Sequence, residues 1–387
     1  MGVHKDIMSK IQRALISLSD KSNLKKLLST LKRFNIEIIS SGGTYKEIKK
    51  LGFNCVEVSK FTNSPEILQG RVKTLHPKIH GGILYKRKNK LHELQIKKNN
   101  LENIDLVVVN FYPFENTINN ESNHQKIIEN IDIGGPSMVR SAAKNYNDVA
   151  VITSINQYKE LIDQLKKNKG STTLKFREKM SQIAFSETAY YDSLIASYFN
   201  KKTNTYFPEK KIFSSKLIEK LRYGENPHQK SAIYSLNNSL NLKQLHGKQL
   251  SYNNFSDIFA ALKISISLPK DSGVVIVKHS NPCGVSIIKD KLECYNSALA
   301  CDPISAFGGI VSFNFKVTEK LALELNKIFL EVIIAKKFDK KALTILKKKK
   351  NLRLIDSSNF SLNQEFQINS FNDAFLIQNE DKHSFNT

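Results

Sequence analysis

This chain has little of what marks a secreted, membrane-spanning or metal-stabilised protein. Of its 387 residues only four are cysteine, Cys55, Cys283, Cys294 and Cys301, and no two stand in C-x-x-C spacing. That spacing disfavours a structural zinc or a redox pair, and unpaired thiols fit a reducing compartment. No apolar run approaches the roughly 20 residues that cross a bilayer. The opening MGVHKDIMSKIQ has neither the apolar segment nor the small-residue cleavage site of a secretory leader. The expectation is a cytoplasmic protein without a membrane partner. Acidic residues are also scarce: 36 Asp and Glu against 59 Lys and Arg leave a net charge of +23. The excess is mostly lysine, spread along the chain beside plentiful Asn and Ile. No helix-turn-helix, zinc-finger or RNA-recognition pattern accompanies it, so no nucleic-acid partner is expected. The KKKK run at 347–350 reads as a solvated helix end.

What is present is the material of two packed domains. The length exceeds one ordinary domain, and 40% hydrophobic residues with 22 Phe and 13 Tyr supply the cores. A strand is expected at 13–18, a helix at 22–34 with Leu24, Leu27, Leu28 and Leu31 on one face, and a strand at 36–40. A short helix follows SGGT, then a strand at 105–109, a helix from Pro136 to Lys144, a strand at 148–153 and a helix at 156–167. This alternation predicts an α/β fold with a parallel sheet and ligands at the carboxyl ends of its strands. After a helix over 173–200, the polar segment KKTNTYFPEKK reads as the connection, placing the domains at 1–200 and 201–387. The second is expected to carry a loop at 221–229, a helix over 256–267, a strand at 273–278, a helix near 291–300 and a strand at 309–313. An apolar stretch after Glu331 and a leucine-bearing helix follow. The Asn- and Ser-rich tail, 356–387, lacks periodicity and is expected to be poorly ordered.

Polar clusters sit where such a sheet would gather them. Ser17, Ser19 and Lys21 end the first strand. Ser41, Gly42, Gly43 and Thr44 stand between a strand and a helix, where free N–H groups and the helix dipole favour an anion. The segment GRVKTLHPKIHGG (70–82) adds Arg71, Lys73, Thr74 and His76, which suit a phosphorylated substrate. Asn110-Phe111-Tyr112-Pro113 follows the buried DLVVV strand, and Asp132-Ile133-Gly134-Gly135 opens the helix that bears Arg140 and Lys144. Singly, each has a structural explanation as a turn, a cap or a surface cation.

Together, SLSDK, SGGT, GRVKTLHPKIHGG, NFYPF, IDIGG and RSAAKN resemble the IMP cyclohydrolase domain of the bifunctional purine biosynthesis enzymes over about the first 200 residues. The resemblance implies a methylglyoxal-synthase-like α/β domain that closes 5-formamidoimidazole-4-carboxamide ribotide to IMP and water without a cofactor. On this reading Lys73 stabilises the developing oxyanion, Asp132 orients or deprotonates the carboxamide, and Tyr112 with Lys144 assists proton transfer. Ser17, Lys21, Ser41, Gly42, Thr44 and Arg71 hold the phosphoribosyl part, with Ser19, Gly43, Thr74, Asn110 and Gly134 alongside.

In the second half, Lys278-His279 ends an apolar strand and leads into Ser280-Asn281-Pro282-Cys283-Gly284. Pro282-Cys283 matches half of the P-C-x-x-C pattern of zinc deaminases, but the next ligand position is Ser286 and no H-x-E precedes it, so no metal is expected. LRYGENPHQ, LSYNN, VKHSNPCG and CDPISAFGG resemble the aminoimidazolecarboxamide ribotide transformylase half of the same enzymes. That implies a cytidine-deaminase-like fold without zinc, 10-formyltetrahydrofolate as cosubstrate, Lys278 and His279 as proton handlers, Arg222 and Tyr223 as ribotide contacts, and a homodimer. Lys336 stands where the family has proline. A full-length member continues with further folate- and ribotide-binding segments that this sequence does not contain. The transformylase half is therefore expected to be incomplete and impaired, the cyclohydrolase half complete by pattern. The alternative is a non-catalytic remnant that persists as a folded or partner-binding protein.

Overall fold

The leucine spacing of residues 24 to 31 is the simplest case of sequence becoming structure here. In the computed structural model, which describes residues 8–236, 238–362 and 366–381, these leucines form the fully buried face of a helix, Leu24–Arg33. The chain divides into two compact units, Met1–Ser214 and Ser215–Thr387.

In the first unit the strands are β1 (Met8–Lys10), β2 (Arg13–Leu18), β3 (Glu37–Ser40), β4 (Val56–Glu57), β5 (Leu106–Asn110), β6 (Ala150–Ile152) and β7 (Ser171–Thr173). The helices begin with α1 (Leu24–Arg33), α2 (Gly42–Lys50), α3 (Val58–Thr62), α4 (Pro77–Leu84) and α5 (Lys90–Lys98). They continue with α6 (Phe114–Asn120), α7 (His124–Glu129), α8 (Gly134–Lys144), α9 (Tyr158–Lys167) and α10 (Leu174–Lys202). Five strands make a parallel sheet in the order β4-β3-β2-β5-β6. The runs RALISL and LVVVN supply its central strands, almost wholly buried, as a sheet covered on both faces requires. Because β3 and β4 lie to one side of β2 and β5 and β6 to the other, the connections diverge between β2 and β5. Divergence opens a crevice at the carboxyl ends of those two strands. At the opposite edge Arg177 of α10 is fully buried, donating to the carbonyls of Tyr146 and Asn147, each at 2.8 Å, and of Thr172 at 2.5 Å.

The second unit contains β8 (Lys216–Leu221), β9 (Ser231–Ser235), β10 (Lys243–His246), β11 (Val274–Lys278), β12 (Asn281–Ser286), β13 (Ile310–Val317), β14 (Val332–Phe338) and β15 (Arg353–Asp356). Its helices are α11 (Tyr252–Ser267), α12 (Lys291–Cys301), α13 (Pro303–Ala306), α14 (Glu319–Leu325) and α15 (Lys340–Leu346). The sheet is mixed, in the order β10-β15-β14-β13-β11-β12, with β13, β14 and β15 parallel. One face packs Phe313 and Phe315 against Tyr295 and Ala298 of α12, the other packs Val275, Val277 and Ile334 against Ile258 and Leu262 of α11. Among the described residues no helix is long and apolar enough to cross a membrane, and no group of three His, Cys, Asp or Glu is placed to hold a metal.

Several expectations need correction. Gly42, Gly43 and Thr44 are the first turn of α2 rather than a loop before it, with Ser41 at the cap. The strand expected at 309–313 runs on to Val317, because Phe315 and Val317 continue the buried face. The KKKK run is not wholly solvated. Lys349 donates to the carbonyls of Asn326 at 2.7 Å and Ile328 at 2.9 Å, and burial lowers its pKa. In the tail, β16 (Phe366–Phe371) and β17 (Ala374–Asn379) form an antiparallel hairpin around left-handed Asn372. β-rich residues flanking a polar turn outweigh the Asn content there. Positions 363–365 and 382–387 of that tail lie outside the described residues.

Candidate active site

The crevice of the first unit gathers most of the polar clusters. Asn110, at the end of β5, accepts from the N–H groups of Ser19 at 2.7 Å and Asp20 at 3.0 Å and donates to the Asp20 carbonyl at 2.8 Å. It fastens the loop after β2 to β5 across the divergence of the sheet. Thr44 has a similar local duty, accepting from Leu18 N at 2.9 Å and donating to Leu18 O at 3.0 Å while almost fully buried. Both side chains shape the crevice wall rather than present free donors to it.

The N-terminus of α2 is the electropositive point of this wall. Ser41 makes no side-chain cap bond, and Gly42 enters the helix at a left-handed φ of 54°, so the first N–H groups are available to an anion. Two ammonium groups stand beside it. A Cβ on Gly42 would lie 3.6 Å from Lys73 Nζ, and one on Gly43 would lie 3.9 Å from Lys21 Nζ. Lys21 also donates to Ser19 O at 3.2 Å, and Ser17 pairs in register with Val109 of β5. Ser17, Ser19, Lys21, Ser41, Gly42, Gly43 and Lys73 thus belong to one end of the sheet.

Lys73 reaches this place from the segment 63–76, whose turn holds Leu68, Gln69 and Gly70 at φ of 53°, 55° and 90°. Its ammonium is 3.1 Å from Glu66 Oε1. That carboxylate lies where a side chain on Gly70 would be but is the movable end of a half-exposed side chain, so it is the left-handed φ of 90° that favours glycine there. Thr74 Oγ1 lies against Gly134, 2.6 Å from where its Cβ would be. His76 acts as a cap, its Nδ1 accepting from Lys78 N at 3.1 Å. Arg71 is ion-paired with Glu129 of α7 and two-thirds exposed.

The N-terminus of α8 meets the same crevice. Asp132 accepts from Gly135 N at 2.8 Å. Burial lifts its carboxyl above the ordinary carboxylate range, while the N–H groups of Gly135 and Tyr112 and the charge of Lys73 pull it partly back. Lys73, Asp132 and the Tyr112 main chain are therefore neighbours, with the Tyr112 ring exposed. Lys144 is not among them. It is exposed in the last turn of α8, ten residues and about 15 Å from Gly134, toward the opposite edge of the sheet. The spacing RSAAK put it on the correct helix but could not say at which end of the sheet.

Two participants escaped the sequence reading. Glu66 sits seven residues before Lys73 among residues that read as a plain turn. Tyr191, deep in α10, accepts from Asp132 N at 2.8 Å, and a buried tyrosine in a long helix reads as core.

In the second unit Lys278, His279, Ser280 and Asn281 form the tight turn between β11 and β12, with His279 and Ser280 both left-handed at φ of 53° and 61°. Ser280 N donates to Asp257 Oδ1 at 2.6 Å, and the Ser256 and Ser280 hydroxyls are 2.8 Å apart. Lys278 Nζ donates to Phe307 O at 2.9 Å, tying the turn to the CDPISAFGG segment, and His279 is exposed. The loop 222–230 is knitted by Gln229, whose side chain accepts from Asn226 N at 2.7 Å and whose carbonyl accepts from Gly224 N at 2.8 Å. It presents Arg222 with its guanidinium 5.8 Å from the Tyr223 ring.

Residues 142–387 match the family model described as the AICARFT/IMPCHase bienzyme, and residues 23–137 match the MGS-like domain. The chain is 45% identical over 352 residues to the bifunctional purine biosynthesis protein PurH of Bradyrhizobium diazoefficiens, an alignment covering 89% of this chain and 66% of that protein. It is 47% identical over 382 residues to the protein of the same name from Prochlorococcus marinus strain MIT 9515, covering 95% and 73%. A solved structure described as the crystal structure of ForH aligns with 49% of this chain and 99% of its own, at 28% identity and a TM-score of 0.44. The chain thus spans about two thirds to three quarters of the length of these two curated relatives, and with the family model matched over residues 142–387 it belongs to the AICARFT/IMPCHase bienzyme family.

Proposed function

We propose that the first unit closes the ring of 5-formamidoimidazole-4-carboxamide ribotide, giving IMP and water. The observation that carries this reading is the placement of Lys21 and Lys73 against the uncapped N-terminus of α2, with Asp132 in electrostatic reach of Lys73. A dianionic phosphate suits the first feature. A carboxylate whose pKa is raised by burial is a stronger base when ionised, which suits proton removal from a weakly acidic amide. The reaction needs no external nucleophile, since the carboxamide nitrogen attacks the formyl carbon of the same molecule. The protein has to fold the substrate into the reactive conformer and manage charge.

In this mechanism Asp132 accepts the proton lost by the carboxamide nitrogen as the C–N bond forms. Lys73 stabilises the negative charge that develops on the former formyl oxygen. That oxygen then takes up two protons in all and leaves as water while the formamido nitrogen gives up its proton and the ring C=N bond forms. The protons lost by the two nitrogens thus balance the two gained by the oxygen, and Tyr112 is assigned to this proton relay. Ser17, Ser19, Lys21, Ser41, Gly42 and Gly43 hold the phosphoribosyl part. Arg71 contributes only if it leaves Glu129. Lys144, on its own unit's far edge, has no step here.

For the second unit the family reading gives formyl transfer from 10-formyltetrahydrofolate to the amino group of the aminoimidazolecarboxamide ribotide. Lys278 and His279 would handle the proton of that amine, and Arg222 with Tyr223 would contact the ribotide. A homodimer belongs to the same reading. The deciding experiment supplies synthetic formamido ribotide to the purified chain and follows IMP by absorbance. Ring closure well above the uncatalysed rate supports the proposal, and the uncatalysed rate alone refutes it. Formyl transfer is assayed separately with the amino ribotide and 10-formyltetrahydrofolate.

A further inference from the structure

We propose that Tyr191 is a positioning residue of the ring-closing site, fixing Asp132 and Tyr112 relative to each other through one hydroxyl and one ring. The proposal rests on the cyclohydrolase reading of that site and adds a residue from a helix that touches none of the reacting groups.

Asp132 and Tyr112 come from different segments, one following α7 and the other following β5, and neither lies within a regular element. Tyr191 meets both. Its oxygen accepts from Asp132 N at 2.8 Å, and its own proton points to Asn130 O at 3.4 Å. Its ring packs at 5.1 Å from Phe111 and 6.1 Å from Phe114, the residues on either side of Tyr112-Pro113. The side chain is only 5% exposed, so solvent cannot readily replace either contact. Phenylalanine would fill the same volume against Phe111 and Phe114. The hydroxyl therefore serves the 130–132 segment, and its loss would leave the Asp132 N–H without its partner in a half-buried place.

The charged and titratable groups facing this junction are few. The Lys73 ammonium and the Tyr112 main-chain N–H face Asp132, while the Tyr112 phenol, Asp132 and Asp192 face Tyr191. Burial pushes the Tyr191 phenol up to about 12, so it stays neutral and keeps donating to Asn130 throughout the working range. Without the hydroxyl, the 130–132 segment relaxes toward water. The Asp132 carboxyl becomes better hydrated and its pKa falls toward the ordinary carboxylate range.

The test compares Tyr191→Phe with Tyr198→Phe in the full chain. Tyr198 lies about two turns along the same helix, and its hydroxyl contacts His124 Nδ1 at 2.7 Å. Tyr191→Phe should lower kcat for ring closure roughly tenfold or more, leave KM within about threefold and move the Asp132 carboxyl titration, followed by 13C NMR, to lower pH. Tyr198→Phe should do none of these. Wild-type titration and wild-type kcat in Tyr191→Phe overturn the proposal, as does an equal loss of kcat in Tyr198→Phe, which would mean general helix packing. If the wild-type chain closes no ring, the functional reading fails on its own, and the titration still decides whether Tyr191 holds Asp132.

Discussion

The Lys73 ammonium stands 3.1 Å from the Glu66 carboxylate while also lying against the first residue of α2, so one cation serves a salt bridge and a helix N-terminus at once. The two partners are unequal in consequence. Lys73→Ala removes the group assigned to the developing oxyanion and should lower kcat by about 10² to 10³, with KM changed less than about threefold. Glu66→Gln removes only an ion pair whose side chains are 29% and 43% exposed. Such a pair is worth about 1 kcal/mol or less, and kcat should fall by no more than about fivefold. Steady-state ring closure by both variants checks this, and comparable losses would mean that Glu66 has a role of its own in the chemistry.

Gly42 and Gly43 look interchangeable in sequence and are not in structure. A side chain on Gly42 meets Lys73 Nζ only at ordinary contact distance, but the backbone there is left-handed at 54°. Gly42→Ala should therefore cost about 1 to 2 kcal/mol through conformation rather than clash, and should raise KM for the phosphorylated substrate as the first turn of α2 shifts. Gly43→Ala, with 3.9 Å of room and no left-handed strain, should leave stability nearly unchanged and raise KM less than Gly42→Ala does, because its N–H stays in place. Thermal unfolding and KM for the pair decide it, and equal effects would remove the left-handed entry as the reason for glycine.

Most of this fold could be read from apolar period, because runs such as RALISL and LVVVN and the leucine spacing of α1 each permit one packing. The corner where Lys21 and Lys73 meet the start of α2 was legible too, since SGGT and GRVKTLHP carry turn and cation chemistry in adjacent letters. Three things were not. The end of α8 that Lys144 occupies depends on crossover geometry, which spacing does not encode. Whether Thr44 and Asn110 face a ligand or the chain depends on Leu18, Ser19 and Asp20, partners remote in sequence. Tyr191 acts through one hydroxyl on a loop some sixty residues away, and nothing in the letters of α10 distinguishes it from a packing residue.

The turn at His279 and Ser280 places two successive non-glycine residues in the left-handed region, a conformation costing about 1 to 2 kcal/mol per residue. Asp257 holds it by accepting from Ser280 N at 2.6 Å. Asp257→Ala should destabilise the chain by about 1.5 to 3 kcal/mol, the usual worth of a hydrogen bond to a charged group. Ser280→Gly keeps the N–H contact and relieves the strain, so its stability should be unchanged or higher by about 1 kcal/mol. Urea unfolding of both variants measures the difference, and an Asp257→Ala chain as stable as wild type would show that the turn needs no external grip.

Asp132 links stability and activity with opposite signs. Burial raises its folded-state pKa, so between the ordinary carboxylate range and that raised value the folded chain binds more proton than the unfolded chain. The stabilisation this gives is complete at low pH and is lost as pH rises through the folded pKa. Ring closure needs the ionised carboxylate, so kcat/KM should climb across the window in which stability declines. Asp132→Asn keeps an oxygen for Gly135 N but has no charge to bury. Its stability relative to wild type should therefore grow with pH across that window and stay constant above it, while turnover falls by about 10² to 10⁴. Paired Tm and kcat/KM profiles against pH measure both limbs. A stability difference independent of pH would mean that the Asp132 carboxyl is not perturbed, and turnover within tenfold of wild type would take the proton-accepting role away from it.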